Sequence, residues 1–179
     1  MGAGTSVAMP LMIPPHNLTV EVKDSLADQL LEVTAKHRHR TVVQYRGNLE
    51  SYKNANQTSR WTVLTYIVFV ESVRQCAAGL RKYAGLREGG RIGLICDMGW
   101  EWLTMFYACQ FIGAACVIAP SNLKPREIYE LARDINVSAI MVSDGKAVEV
   151  TKTMKESWNT KDILIISSTL TEFMSMGGR

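Results

Sequence analysis

The sequence predicts an α/β fold, a doubly wound and mostly parallel sheet built from repeated βαβ units. Short apolar runs begin near residues 91, 115, 137 and 162, a steady spacing of 22 to 25 residues. A segment with apolar residues at helical spacing lies between each pair of runs, and the run Arg91 to Cys96 is almost continuously apolar. Such runs are typical of strands covered by helices on both faces, and right-handed crossovers then give a parallel sheet.

The first elements precede this repeat. Residues 1–24 hold three of the five prolines and are predicted to form an extended leader. Ser25 and Asp28 have the spacing of a capping box, which predicts a helix that ends in the basic run Lys36 to Arg40. Thr41 to Tyr45 is a β-type run, and the polar residues 47–60 are predicted to be a loop or hairpin connection.

A second strand and a long helix follow. Trp61 to Leu64 is the predicted strand, Thr65 is a suitable N-cap, and Gly85 ends the helix. The apolar stripe of this helix consists of Ile67, Val70, Val73, Ala77 and Leu80.

The remaining elements alternate between strand and helix. After the strand Arg91 to Cys96, the predicted elements are helix Trp100 to Ile112 with Gly113 behind it, strand Ala115 to Ala119, helix Pro125 to Asn136, strand Val137 to Val142, a weaker helix over 145–157, and strand Asp162 to Ser167. Glycine ends the first of these helices and proline begins the second, as their backbone preferences favour.

The composition excludes several classes of protein. The chain has 179 residues, 47% of them hydrophobic, a formal net charge of +3 and a mean hydropathy of +0.00. These values are those of a globular chain and exclude a low-complexity, collagen-like or disulfide-stapled one.

The basic excess lies between Lys36 and Arg60. A solvated helix end and loop is the favoured interpretation of this stretch, with binding to phosphate or to anionic lipid as alternatives. Without interleaved aromatic residues, we do not expect nucleic-acid binding.

The four cysteines give no metal motif. Cys76, Cys96, Cys109 and Cys116 include no C-x-x-C pair, and all three histidines lie before residue 40. Zinc binding is therefore unsupported by spacing. Each cysteine lies in an apolar stretch, which predicts small buried side chains in a reducing compartment.

Two features bear on membranes. Residues 1–6 match the N-myristoylation pattern, which makes Gly2 a candidate lipidation site. One acyl chain binds membranes only marginally, so the stretch Lys36 to Arg60 would have to supply a second signal, giving a peripheral protein on the cytoplasmic side. Trp102 to Pro120 is a run of uncharged residues; a helix that ends at Gly113 and a buried strand explain it better than a membrane span.

Ligand sites of parallel α/β sheets lie beyond the carboxyl ends of the strands. The loops there contain no dinucleotide, P-loop, nucleophile-elbow or zinc-protease motif, so no catalytic, cofactor-binding or metal-binding residue is assigned. Ser143-Asp144-Gly145 is expected to be a helix start, with anion binding as the alternative. Asp97 and Glu101 are expected to favour the dipole of the following helix.

Two tryptophans flank Glu101. Trp100 and Trp102 point to different sides of the predicted helix start. We expect at least one of them in the core, and the other could line a ligand pocket.

A set of motifs occurs in a familiar order and spacing. They are Trp61-Thr-Val-Leu-Thr-Tyr, Cys76-Ala-Ala-Gly-Leu, Gly85-Leu-Arg-Glu-Gly-Gly-Arg-Ile-Gly-Leu-Ile-Cys, Glu101-Trp-Leu and Gly113-Ala. Together they resemble the start of the adenylate-forming (AMP-binding) superfamily, with long-chain acyl-CoA synthetases as the most similar branch. The resemblance covers about residues 25–170 and makes 25–179 a partial N-terminal α/β subdomain.

The resemblance has departures. Gly90 stands where the family usually has Asp, and Met98-Gly99-Trp100 replaces Asn-Arg-Pro. The family's phosphate loop and C-terminal domain would lie beyond Arg179, so the sequence is expected to be a truncated ligase with the remainder of the fold as its missing partner.

The resemblance implies a fatty acid–CoA ligase that uses ATP, Mg²⁺ and CoA on a long-chain fatty acid through an acyl-adenylate. This segment would supply scaffold and be inactive alone. Two alternatives stay open: a non-catalytic, N-myristoylated binding or regulatory module on the same scaffold, and a different α/β enzyme.

Overall fold

The computed structural model describes residues 25–46, 61–157 and 163–168. The predicted leader (residues 1–24) and the predicted connection over 47–60 lie outside these ranges. In chain order the elements are α1 (Leu26–His37), β1 (Thr41–Arg46), β2 (Trp61–Thr65), α2 (Tyr66–Tyr83), β3 (Arg91–Ile95), α3 (Trp100–Ile112), β4 (Ala115–Ile118), α4 (Pro125–Ile135), β5 (Ala139–Val142), α5 (Asp144–Ser157) and β6 (Leu164–Ser167).

The strands form two sheets. β1 and β2 pair in antiparallel fashion, with Gln44 opposite Val63. The other four strands form a parallel sheet in the order β4-β3-β5-β6. Helices cover both of its faces, so the predicted doubly wound α/β class is confirmed, and the sequence boundaries agree with the structure to within about two residues.

Helix ends follow only in part the local chemistry that the sequence predicts. The Ser25 hydroxyl accepts a hydrogen bond from the Asp28 backbone N–H (3.1 Å) at the start of α1. Thr65 occupies the N-cap position of α2, but its side chain makes no capping hydrogen bond. Gly113 ends α3 with φ of 78°, a left-handed conformation that disfavours any residue with a Cβ.

The parallel sheet divides its side chains between two cores. Along β3, Ile92 and Leu94 point to the face covered by α1, α2 and α3, whereas Ile95 points to the face covered by α4 and α5. β5 alternates in the same way, with Met141 on the first face and Ile140 on the second. Period-2 alternation within continuously apolar strands is what a sheet buried on both sides requires.

Helix α3 is apolar on nearly every side. Trp102, Met105 and Ile112 are buried, while Phe106 and Phe111 are half-buried against the first core. This composition explains why the uncharged run Trp102 to Pro120 resembles a membrane span in its hydropathy. None of the helices among the described residues has the length and apolarity to cross a bilayer.

The cysteines are unpaired thiols. Cys76, Cys96 and Cys109 are buried and Cys116 is partly buried, as the sequence predicts. Burial raises the pKa of Cys76 to about 12, so this thiol is protonated and inert near neutrality.

Candidate functional site

The candidate site is the carboxyl edge of the parallel sheet. The chain leaves β3 toward β4 on one side and leaves β5 toward β6 on the other, so the crossover direction reverses between these two adjacent strands. A crevice at such a switch point is where open α/β sheets bind ligands. The loop 96–99 and the start of α5, residues 143–146, therefore border the expected site.

Side chains join the loops after β3 and β4. The Ser121 hydroxyl donates a hydrogen bond to the Asp97 carboxylate (2.5 Å). The Lys146 ammonium group, in the first turn of α5, donates to the backbone carbonyls of Ser121 and Leu123, the second at 2.9 Å. Residues more than twenty positions apart in the sequence thus fix the loop after β4 against both of its neighbours.

Asp144 joins the start of α5 to the end of β6. Its carboxylate accepts hydrogen bonds from the hydroxyls of Ser167 and Ser168, the second at 3.3 Å. The Ser143 carbonyl accepts the Lys146 backbone N–H at 2.9 Å. The sequence Ser143-Asp144-Gly145 therefore forms a helix start, and a carboxylate already lies beside the helix N-terminus, where it interacts favourably with the dipole.

Acidic side chains make this edge negative. Glu101 lies half-buried in the first turn of α3, and burial raises its pKa, with the charge of Asp144 adding to the effect. Burial, followed by the charges of Asp97, Glu101 and Asp144, raises the pKa of the Cys96 thiol to about 11. This thiol is therefore protonated at neutral pH and is a poor nucleophile.

Neither a metal-binding cluster nor a nucleotide-binding motif is found among the described residues of this edge. Among the described residues, no three His, Cys, Asp or Glu side chains are grouped to hold a metal ion. The strand-end loops carry no glycine-rich phosphate-binding sequence. Within the described ranges, the side chains at this edge position neighbouring loops.

The two tryptophans differ as the sequence predicts. Trp102 is 8% exposed and stacks on Phe106 with ring centroids 5.5 Å apart, so it belongs to the core. Trp100 is half-buried and stacks on Tyr45 of β1, also at 5.5 Å, which ties the antiparallel pair to the start of α3. The pocket-lining role considered for one tryptophan stays a prediction.

Two other sequence candidates lie wholly or partly outside the described residues. Gly2 lies outside the described residues, and its lipidation stays a prediction. The basic stretch Lys36 to Arg60 is described only to residue 46; within that part Lys36 pairs with Glu32 at 2.6 Å.

Sequence reasoning missed the hydrogen bonds that hold the edge together. Asp97, Ser121 and Lys146 each lie within the first few residues after a strand, and that shared offset was the available signal. The offset alone does not say which loops are neighbours, because strand order is not written in the loop sequences.

This architecture defines a class of protein. The chain is a parallel α/β subdomain with polar loops collected at the carboxyl edge of its sheet, the edge where such sheets hold their ligand sites. The family model described as "AMP-binding enzyme" matches residues 30–174, and the chain therefore belongs to the AMP-binding enzyme family. The resemblance to adenylate-forming enzymes is confirmed at this level.

Solved structures share the fold. NpsA-ThdA, an artificially fused adenylation-PCP di-domain NRPS from Klebsiella oxytoca, is 20% identical with a TM-score of 0.59, over 86% of this chain and 24% of that one. The N-terminal domain of FACL13 from Mycobacterium tuberculosis is 16% identical with a TM-score of 0.65, over 86% and 36%. A benzoate CoA ligase from Burkholderia xenovorans LB400 is 18% identical with a TM-score of 0.65, over 84% and 28%.

The matched region is a minor part of these structures, between 24% and 36% of their length for the three proteins named. A search of curated protein sequences found no significant match.

One departure from the family pattern has a structural reason. At Gly90, where the family usually has Asp, a Cβ would lie 2.8 Å from the Arg87 carbonyl oxygen and 2.9 Å from Leu86 Cδ1. Gly90 also donates its N–H to the Arg87 carbonyl at 2.9 Å, in a tight turn before β3. An aspartate at this position would require the turn to shift away from the Arg87 carbonyl.

Proposed function

We propose that this chain is the N-terminal scaffold of an adenylate-forming acid–CoA ligase. The observation that carries the proposal is the family match over residues 30–174, most of the described structure. The carboxyl edge is consistent with a scaffold, because its hydrogen bonds, such as that from the Ser121 hydroxyl to the Asp97 carboxylate, hold neighbouring loops together. ATP, Mg²⁺ and CoA are the co-substrates and metal proposed for the whole ligase rather than for this edge.

Long-chain fatty acids are the proposed substrate class. Support comes from the motif order from Trp61-Thr-Val-Leu-Thr-Tyr to Gly113-Ala, which resembles that of long-chain acyl-CoA synthetases. A benzoate CoA ligase shares the fold at 18% identity, which makes aromatic acids the competing class. An exchange assay with one acid of each class distinguishes them.

The test has two stages. The transcript is read beyond the codon for Arg179, where we expect the frame to continue into a glycine-rich phosphate loop. The encoded protein is then assayed for ATP–pyrophosphate exchange with palmitate and with benzoate. Palmitate-dependent exchange supports both parts of the proposal, whereas benzoate-dependent exchange alone retains the ligase and rejects the fatty acid.

The chain of residues 1–179 serves as the matched control. We expect it to show no exchange with either acid, because the described residues lack a phosphate loop. Exchange by this chain alone would contradict the scaffold role. A stop codon followed by unrelated sequence would favour the alternative function, a non-catalytic binding module on the same fold.

A further inference from the structure

A cationic groove lies on the surface between α2 and the end of α3, within the first helical layer. It has a volume of about 550 Å³ and is lined by Arg74, Ala77, Ala78, Arg81, Lys82 and Phe111. Its floor is apolar, since it consists of two alanines and the Phe111 ring. Its cations lie along about 12 Å of helix α2, at 1.5 Å per residue.

The cations of this groove have no anionic partners among the described residues. Three exposed cations of α4 and α5, by contrast, pair with carboxylates: Arg126 with Glu130 (3.2 Å), Arg133 with Asp134 (2.8 Å) and Lys152 with Glu156 (4.0 Å). Within residues 25–46, 61–157 and 163–168, Arg74 and Arg81 form no ion pair. An acidic residue in the same stretch of α2, Glu71, instead accepts a hydrogen bond from Gln75.

The positive surface continues past the groove. Arg81 also lines a neighbouring pocket of about 320 Å³, together with Arg87 and Glu88. At the end of α2, the Lys82 ammonium lies 5.1 Å from the centroid of the Tyr83 ring, and Tyr83 is 43% exposed. Lysine and tyrosine side chains are each common at membrane interfaces, because both have an apolar body and a polar end.

We propose that this groove is a docking surface for a membrane that carries anionic phospholipid. Charge complementarity supports this occupant, because a row of cations that form no ion pair among the described residues attracts a negative lipid surface. An acidic helical peptide fits less well, since such ligands insert successive side chains into separate pockets and this floor is shallow and formed by alanines. The proposal does not depend on the ligase function.

This surface differs from the membrane signal that the sequence suggests. The sequence points to the basic stretch Lys36 to Arg60, whose first residue, Lys36, pairs with Glu32 across one turn of α1. No sequence motif marks the groove cations Arg74, Arg81 and Lys82, because they are spread through an ordinary amphipathic helix. Only their shared position on the outer face of α2 brings them together.

The test measures binding of the unacylated 179-residue chain to vesicles by co-sedimentation. Vesicles contain phosphatidylcholine alone or with about 30% phosphatidylserine, at about 0.1 M and about 0.5 M salt. We expect binding only to the anionic vesicles, and loss of it at high salt. Failure to bind anionic vesicles at low salt would overturn the proposal, as would binding only to a polyglutamate peptide.

Charge-matched variants locate the surface. The triple variant Arg74→Gln, Arg81→Gln, Lys82→Gln removes three groove cations, and we expect binding to weaken about 100-fold, at roughly fivefold per cation. The control Arg126→Gln, Arg133→Gln, Lys152→Gln removes three cations from α4 and α5, and we expect less than about a threefold loss. Equal losses in both triples would overturn the proposal.

A single substitution tests the groove floor. Ala78 is exposed on α2, so glutamate is compatible with the helix there. We expect Ala78→Glu to weaken binding by about fivefold or more, while the neutral variant Ala78→Gln binds within about twofold of wild type. Circular dichroism establishes that each variant is folded. Folded Ala78→Glu with undiminished binding would contradict the proposed surface.

Discussion

The two faces of the parallel sheet are built differently. On the first face, α3 is apolar on nearly every side and packs against α2, with large side chains such as Phe69 and Met105 fully buried. On the second face, α4 is amphipathic and buries only Ile128 and Ala132 of its residues. The first face therefore supplies most of the apolar burial, whereas the second contributes the Lys146 and Asp144 hydrogen bonds that arrange the carboxyl edge.

The stability of the fold therefore depends mainly on the first face, whereas the second face positions the loops of the carboxyl edge. A thick apolar layer tolerates little loss of volume, because the surrounding side chains cannot collapse into a large cavity. A thin layer with amphipathic helices loses less when one side chain is truncated. Four substitutions test the comparison, in decreasing order of the stability change that we expect.

Phe69→Ala tests the first face. Phe69 is fully buried on α2 and packs edge to face on Tyr107, with centroids 5.8 Å apart. We expect the free energy of unfolding, measured by urea titration of the chain, to fall by about 3–5 kcal/mol. Val68→Ala is the control, because Val68 is 49% exposed, and should cost less than about 0.5 kcal/mol. Similar losses in the two variants would contradict the described core.

Ile128→Ala tests the second face. Ile128 is fully buried where α4 packs on the sheet. We expect a loss of about 2–3 kcal/mol, at the lower end for such truncations because this layer is thin. Hydrogen exchange should accelerate in α4 before it does in α2. A loss larger than that of Phe69→Ala would reverse the comparison between the faces.

Gly113→Ala tests the turn that joins α3 to β4. Gly113 has φ of 78°, and a Cβ there would lie 3.1 Å from Glu88 Cγ. We expect a loss of about 1–2 kcal/mol, mostly from the left-handed backbone. Gly145 in the first turn of α5 has open space around it, so Gly145→Ala should instead stabilise by about 0.5–1 kcal/mol. A neutral Gly113→Ala would show that the turn relaxes freely.

Glu101→Gln tests the electrostatics of the carboxyl edge. Burial raises the pKa of Glu101 above its ordinary value of 4.5, so the folded state holds this proton more tightly than the unfolded state. Stability from this group is therefore present at low pH and lost as pH rises through 4.5 toward the raised pKa. We expect the wild-type free energy of unfolding to fall more steeply over this window than that of the variant. Identical slopes would contradict the half-buried carboxyl.

Much of the fold was predictable from local pattern. The spacing of the apolar runs indicates βαβ units, and Ser25, Gly113 and Pro125 mark helix ends because capping and backbone preferences are local. The last strand illustrates the size of the boundary errors, because it is predicted to begin at Asp162 and is observed to begin at Leu164. Helix α3 was the ambiguous element, since an all-apolar helix and a membrane span share one composition.

The candidate site was less predictable than the fold. Each of Asp97, Ser121 and Lys146 is an ordinary polar residue after a strand. Their hydrogen bonds depend on strand order, which puts β4 beside β3 and β3 beside β5. The pattern of residues along the sequence does not reveal the order of the strands in the sheet.

The sequence by itself determined the class of fold and the family, because both depend on apolar period and on motif order along the chain. Only the tertiary structure decided which loops meet at the carboxyl edge, and which cations on α2 lack a carboxylate partner among the described residues. Hydrophobic periodicity is a local property of consecutive residues. Hydrogen-bond and ion-pair partners between distant elements are set by the packing of segments twenty or more residues apart.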